Sequence, residues 1–443
     1  MNLLPVSFSE KANRTPESPI SQFMELAMTS PHLISLAAGR VDCGSLPAGP
    51  IAAAVATILN DPKTARAALQ YGTTQGHGPL IAHIVEHVAM LDGKTPKQLG
   101  VSVKDVLVTT GSQQLLYMLS ELLLDAGDIA ITESPSYFVY HSVLAGNGTR
   151  VLTVPMDDDG MITDELDRLL EKIDRAGELH RVKLIYTVDY FQNPTGLTLS
   201  RERRKHLVEI VEKYADRQRI LILEDAAYRE LRYEGDELPS VKSFDPKNCH
   251  VIYAGTFSKP CAPGLKTGYA LMPNELIEPM VRLKGNHDFG SNNLSQYIIC
   301  ELLENGDYSR HVEYLRGVYR QKRDAMMQAL DTEFGDWPGV TWTRPKGGMF
   351  VWLTMPSEIE TSPDGDFVKA ALQEGVLYIP GEFGHVSESG DVPKNEARLS
   401  FGDATPNQIR DGVQRLRKAA EAVLKKEVVA SGVPARRDPM KSC

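Results

Sequence analysis

The stretch GTFSKPCAPGLKTGY, Gly255–Tyr269, follows the apolar run HVIYA at 250–254 and leads into a second such run, TGYALM, at 267–272. Short runs rich in apolar and β-branched residues on either side of a Pro-Gly turn read as two buried strands. Lys259 stands directly behind a serine at the end of the first run, and Lys266 follows seven residues on. Lysines in loops are commonly solvated, so what this pair means depends on the rest of the chain.

Working outward, runs of the same kind recur: VLVTT (106–110), DIAIT (128–132), RVLTV (150–154), KLIYTV (183–188) and RILILE (219–224). Helical patterns lie between them, such as Gln113–Leu124 and Arg201–Asp216, the latter with Leu207, Ile210, Val211 and Tyr214 on one face. Continuous apolar strands alternating with amphipathic helices predict an α/β large domain, with a mostly parallel central sheet of about seven strands covered by helices. Beyond a helical region around Leu315–Leu330, VTWT, MFVWLTM and ARLSF predict a smaller α+β domain. The expected division is an N-terminal arm and part of the small domain at 1–50, a large domain at 51–320, a small C-terminal domain at 321–425 and a flexible tail at 426–443.

The chain has 443 residues, 42% hydrophobic and 24% charged, enough for a large core and more than one domain. Its net charge of −10 opposes a nucleic-acid surface. No segment has the length of apolar sequence that a membrane span needs, and the N-terminus lacks a secretory pattern, so a cytoplasmic protein is expected. The five cysteines are scattered without CxxC or His/Cys spacing, which indicates neither a disulfide framework nor a metal site.

Ligands of open α/β sheets bind beyond the carboxyl ends of the strands. After VLVTT, Gly111-Ser112-Gln113-Gln114 opens a helix, whose free N–H groups favour an anion; a serine there is also an ordinary cap. After DIAIT comes Tyr137 on a turn. After KLIYTV, Asn193-Pro194-Thr195-Gly196 offers an amide, although it also makes a good turn without function. After RILILE, Asp225 is a carboxylate at the mouth of a buried strand, where it either caps a helix or needs a donor or cationic partner. Thr256, Ser258, Lys259 and Lys266 complete the edge. A phosphate-binding helix start, a ring, an amide, a carboxylate and an amine together match the demands of a phosphorylated aromatic aldehyde such as pyridoxal 5′-phosphate.

The ordered set LQYG, GSQQ, PSY, NPTG, EDAAY, SKPCAPGLKTG, GGMF and ARLSF, spread over roughly residues 30–420, resembles the fold type I pyridoxal-phosphate aminotransferases of class I. It is similar to the branch that holds kynurenine and 2-aminoadipate aminotransferases. The resemblance implies transfer of the amino group of an L-amino acid to a 2-oxo acid in two half-reactions. Lys259 would carry the cofactor as an aldimine and move the Cα proton, and Asp225 would pair with the pyridine nitrogen. Ser112, Gln113, Thr256, Ser258 and Lys266 would hold the phosphate, with lysine at 266 where the family usually has arginine. Tyr137 would stack on the ring, while Asn193 and Tyr228 would bond its phenolic oxygen. Arg398 would grip the substrate carboxylate, alongside Asn193 and Gly39. Tyr71 would reach the phosphate of a neighbouring subunit, which implies a homodimer with shared active sites.

Lyases, decarboxylases and amino-acid oxidases share this scaffold, and so does the effector-binding half of some transcription regulators. About thirty residues precede SLAAGR, too few for a DNA-binding domain, and the acidic charge opposes that reading. Two departures bear on substrate choice. The N-terminal segment Ser18-Pro19-Ile20-Ser21-Gln22-Phe23 lacks the arginine of the 2-aminoadipate branch. Arg40, beside Gly39, is expected either to pair with Asp42 or another surface acid, or to face the distal end of the substrate and select acidic or carbonyl-bearing side chains.

Overall fold

The computed structural model describes residues 4, 6–17, 21, 23, 25, 26, 29, 30 and 32–431, with side chains through 425. Residues 18–20 and 22 of the N-terminal segment read above, and the tail from 432, lie outside the described residues. Among the described residues fourteen strands are formed: β1 (Ile34–Ser35), β2 (Val106–Thr109), β3 (Ile129–Ser134), β4 (Arg150–Asp157), β5 (Gly160–Met161), β6 (Val182–Thr187) and β7 (Leu221–Asp225) precede the opening stretch. They continue with β8 (Val251–Thr256), β9 (Gly268–Leu271), β10 (Thr341–Trp342), β11 (Phe350–Thr354), β12 (Val376–Leu377), β13 (Ile379–Pro380) and β14 (Glu396–Ser400).

The large sheet has the order β2-β9-β8-β7-β6-β3-β4-β5. The run from β8 through β7, β6 and β3 to β4 is parallel, while β9 lies antiparallel to both β2 and β8. Eight strands form rather than about seven, because β5 turns back on β4 over two residues, too short to leave a periodic signal. Although β7 opens with three consecutive apolar residues, these divide by the two-residue strand period: Ile222 packs with the helix Arg201–Tyr214, and Leu221 and Leu223 pack on the opposite face. The helix after β2 spans Gly111–Leu123, two residues earlier than its apolar pattern begins, and buries Leu115, Leu116, Met118 and Leu119.

A second sheet, β10-β11-β14-β13, is antiparallel throughout. The short β1 pairs in parallel with β12, Ile34 opposite Val376, which draws the following residues Leu36–Arg40 across to β14. There Leu36 accepts a bond from the Ser400 N–H at 2.7 Å. The final helix, Pro406–Ser431, takes in residues 426–431 of the expected tail.

Candidate active site

The carboxyl ends of β2, β3, β6, β7 and β8, together with Gly39–Arg40 and β14, enclose a cavity of about 380 Å³. Ser112, Gln113, Tyr137, Asn193, Asp225, Tyr228, Thr256, Ser258, Lys259, Lys266, Arg398, Gly39 and Arg40 all line it. Tyr71 does not: it is 81% exposed, and its ring packs edge-on against Phe289 at 5.6 Å.

One end of the cavity is built for an anion. The helix Gly111–Leu123 has no side-chain cap at Thr110, so its first N–H groups remain available beside Ser112. The Thr110 N–H is turned aside to Gln114 Oε1 at 2.7 Å, and Gln114 Nε2 is anchored on Asp288 at 2.7 Å. Strand β9 reaches this helix start only because it begins with glycine: a Cβ on Gly268 would lie 2.6 Å from the Ser112 nitrogen. The Thr256 hydroxyl donates to Ser258 Oγ at 3.0 Å, and Lys266 arrives from the turn after Pro263–Leu265 with a left-handed φ of 48°.

The other end carries the ionisable groups. Asp225, the last residue of β7, accepts from the Tyr186 hydroxyl at 2.9 Å and from the Ala227 N–H at 3.2 Å. Burial pushes its carboxyl up to about 6 despite these donors and the nearby Lys259. Lys259 donates to the Gly39 carbonyl at 2.8 Å; burial and then the charge of Arg398 bring its amine down to about 8, against the pull of Asp225. Burial likewise lowers Arg398 to about 10. Its Nη1 donates to Asn193 Oδ1 at 2.9 Å and its Nη2 to the Ala37 carbonyl at 2.7 Å. Its Nε is buried with no partner among the described residues, which leaves one donor of the fork for a ligand. The guanidinium also faces the Phe350 ring, 4.5 Å from its centroid.

Arg40 does not pair with Asp42, which is taken by Lys322 at 2.6 Å. It meets Asp403 instead, at 3.6 Å, with both side chains partly exposed, and its Nη2 lies 3.4 Å from Cys43 Sγ. Backbone placement decides this: the Arg40 carbonyl sits against Gly402, which puts the neighbouring Asp403 in reach.

Two residues that sequence reasoning missed support the site. Tyr186 holds Asp225; its signal was a phenol in an otherwise apolar buried strand, a group that needs a partner. Glu133, at the end of β3, receives the Thr187 hydroxyl at 2.5 Å, the Val188 N–H at 3.2 Å and Gln192 Nε2 at 2.6 Å, and so fixes the turn that carries Asn193. Burial pushes its carboxyl up to about 7.

The family model described as aminotransferase class I and II matches residues 31–416. The chain belongs to the class I and II aminotransferases. It is 35% identical to aromatic-amino-acid aminotransferase 1 of Thermococcus litoralis, over 95% of each chain. It is 34% identical to the 2-aminoadipate transaminase of Thermus thermophilus, over 94% of this chain and 97% of that one. Among solved structures, the kynurenine aminotransferase of Pyrococcus horikoshii in complex with PMP superposes with a TM-score of 0.86, at 33% identity, over 94% of this chain and 97% of that chain. The protein is accordingly a transaminase with a fold type I architecture and pyridoxal phosphate as cofactor. Its cavity fits that group: uncapped N–H groups, hydroxyls and Lys266 suit a phosphate, Tyr137 offers an aromatic wall, and a buried carboxylate short of positive charge suits a protonated ring nitrogen.

Proposed function

We propose that Lys259 is the catalytic amine and that this transaminase handles amino acids and 2-oxo acids gripped through their α-carboxylate by Arg398. Bound pyridoxal phosphate supplies the electron sink for the pair left when a bond at the substrate Cα breaks. Lys259 takes the proton from Cα on its Nζ and holds it for return, a task suited to an amine brought to about 8. Asp225, supported by Tyr186, would pair with the ring nitrogen, and Asn193 and Tyr228 would bond the phenolic oxygen. Ser112, Gln113, Thr256, Ser258 and Lys266 would hold the phosphate, Lys266 as a point charge without the fork an arginine would bring. The observation that carries this reading is the placing of buried Lys259 with Asp225 and Arg398 in one cavity, where its amine is lowered. Lys259→Ala should abolish the visible absorbance of the bound cofactor and lower turnover by several powers of ten. Normal absorbance and turnover in that variant would remove Lys259 from the chemistry.

The substrate reading rests on Arg40. It lines the cavity, and its loose exposed pairing with Asp403 leaves its charge largely available. This supports selection of a carboxylate or carbonyl at the far end of one of the two substrates. The active unit is proposed to be a homodimer in which Tyr71 completes the partner's phosphate site. The exposed apolar side chains Leu69, Tyr71 and Phe289 support this, since they leave an apolar surface near the segment that carries Tyr71. The domains divide near residue 320, so the Arg398–Asn193 bond ties one to the other. Cys43, Cys249, Cys261 and Cys300 stand unbridged, which suits a reducing, cytoplasmic setting.

A further inference from the structure

Away from this cavity, the helix Gly78–Leu91 and the helix Asn293–Glu304 bring together three side chains of different ligand chemistry. His83 Nε2 lies 3.1 Å from Glu304 Oε1, Cys300 Sγ lies 3.4 Å from the same oxygen, and the three ligand atoms fall within 4.8 Å of one another. With Zn–N and Zn–O bonds of about 2.0–2.1 Å and a Zn–S bond of about 2.3 Å, the edges of a zinc tetrahedron are roughly 3.4 Å for N and O and roughly 3.6 Å for S and O. The spacings to Glu304 are within a few tenths of an ångström of those edges.

We propose that His83, Cys300 and Glu304 form a zinc site, with water as the fourth ligand. The site is open on one side, since the side chains of His83 and Glu304 are 36% and 51% exposed, while the Cys300 thiol is buried beneath them. Cys300 and Glu304 are one helical turn apart and project to the same face. Glu304 is also the last residue of its helix, where the partial negative charge of the helix end favours a cation. A nitrogen, sulfur and oxygen donor set suits zinc better than the hard cations, which take oxygen alone. On binding, the imidazole proton shifts to Nδ1, the Cys300 S–H bond breaks as the Zn–S bond forms, and the thiol proton leaves to solvent. A free thiol ionises only near about 8.5, so binding displaces one proton through the neutral range.

The N-terminal ends of the two helices also hold the Tyr71 segment. Asn293 Nδ2 donates to the Ala67 and Gln70 carbonyls at 2.9 and 3.0 Å, and the His77 N–H donates to Gln296 Oε1 at 2.7 Å. Zinc therefore ties the C-terminal end of the second helix to His83, within the first helix, in a pair whose N-terminal ends position that segment.

Titrating the holoenzyme with ZnCl2 by calorimetry tests the site. One zinc per chain is expected, with affinity rising about tenfold per pH unit between pH 6 and 8. Cobalt(II) should give the visible bands of a tetrahedral ion with a thiolate ligand. Cys300→Ser and His83→Ala should each weaken binding by at least about tenfold, and Cys300→Ser should also flatten the pH dependence. Glu304→Gln, at an exposed position, should do the same to affinity. All three should keep the cofactor absorbance, which verifies their folding. No zinc uptake, or an affinity and pH slope unchanged across these variants, would overturn the site.

Discussion

The buried carboxylate of Asp225 is a cost to the fold and a requirement of the chemistry. Its folded value of about 6 lies above the ordinary 3.8, so its ionised form opposes folding fully above pH 6. That opposition fades as pH falls from 6 toward 3.8 and is absent below. At about 1.4 kcal/mol for each tenfold change, the penalty is on the order of 3 kcal/mol in cofactor-free protein. Asp225→Asn removes the charge but can accept from only one of its two donors, Tyr186 or Ala227. We therefore expect the cofactor-free variant to be more stable by about 1 to 2 kcal/mol at pH 8, an advantage that disappears near pH 4, while turnover falls by orders of magnitude. Thermal denaturation at the two pH values checks the sign. Arg40 supplies the second test at this scale. Arg40→Ala should lower kcat/KM for glutamate or 2-oxoglutarate by about one to two powers of ten and leave alanine or leucine nearly unchanged. An equal loss on every substrate would make the Asp403 pair its only role.

Elements meet at the anion end of the cavity, where β9 and the helix Gly111–Leu123 approach so closely that only glycine fits at 268. Gly268→Ala should displace the helix start or the strand while leaving the distant catalytic groups in place. The expected result is cofactor binding at least tenfold weaker, read by equilibrium titration, with much of kcat recovered at saturating cofactor. If affinity is unchanged, the helix start does not hold the phosphate. The order of elements in the large domain was largely legible, because the longer strands are short apolar runs bounded by turn residues, with GSQQ, PSY, NPTG and the Lys259 stretch following strand ends. β5 and β13 were not legible, since two-residue strands are defined by the partner they pair with and carry no period of their own.

At the scale of the whole molecule, Tyr71 stands outside the cavity of its own chain. If it serves the partner's site, Tyr71→Ala and Lys259→Ala place their defects in different sites of a mixed dimer. Dissociating and reassociating the two variants together should then restore activity at up to about a quarter of all sites, the share expected from random pairing of two chains with two sites. Either variant reassociated alone should remain at its own low activity. Absence of recovery, with mixed dimers verified by mass, would place Tyr71 in a local role.

The sequence alone determined the alternation of strands and helices and the strand-end residues Ser112, Tyr137, Asn193, Asp225 and Lys259, because period and turn chemistry are local properties of the chain. Their convergence on one cavity follows from strands of a mostly parallel sheet ending on the same side. Partner choice between side chains far apart in sequence was decided only by the tertiary structure. Packing turned Tyr186 onto Asp225, Glu133 under the Asn193 turn and Arg40 toward Asp403 rather than the nearby Asp42. It also brought His83 against Cys300 and Glu304, more than two hundred residues away. No local pattern encodes such meetings, since each depends on how two faces dock and on which polar group must find a partner once water is excluded.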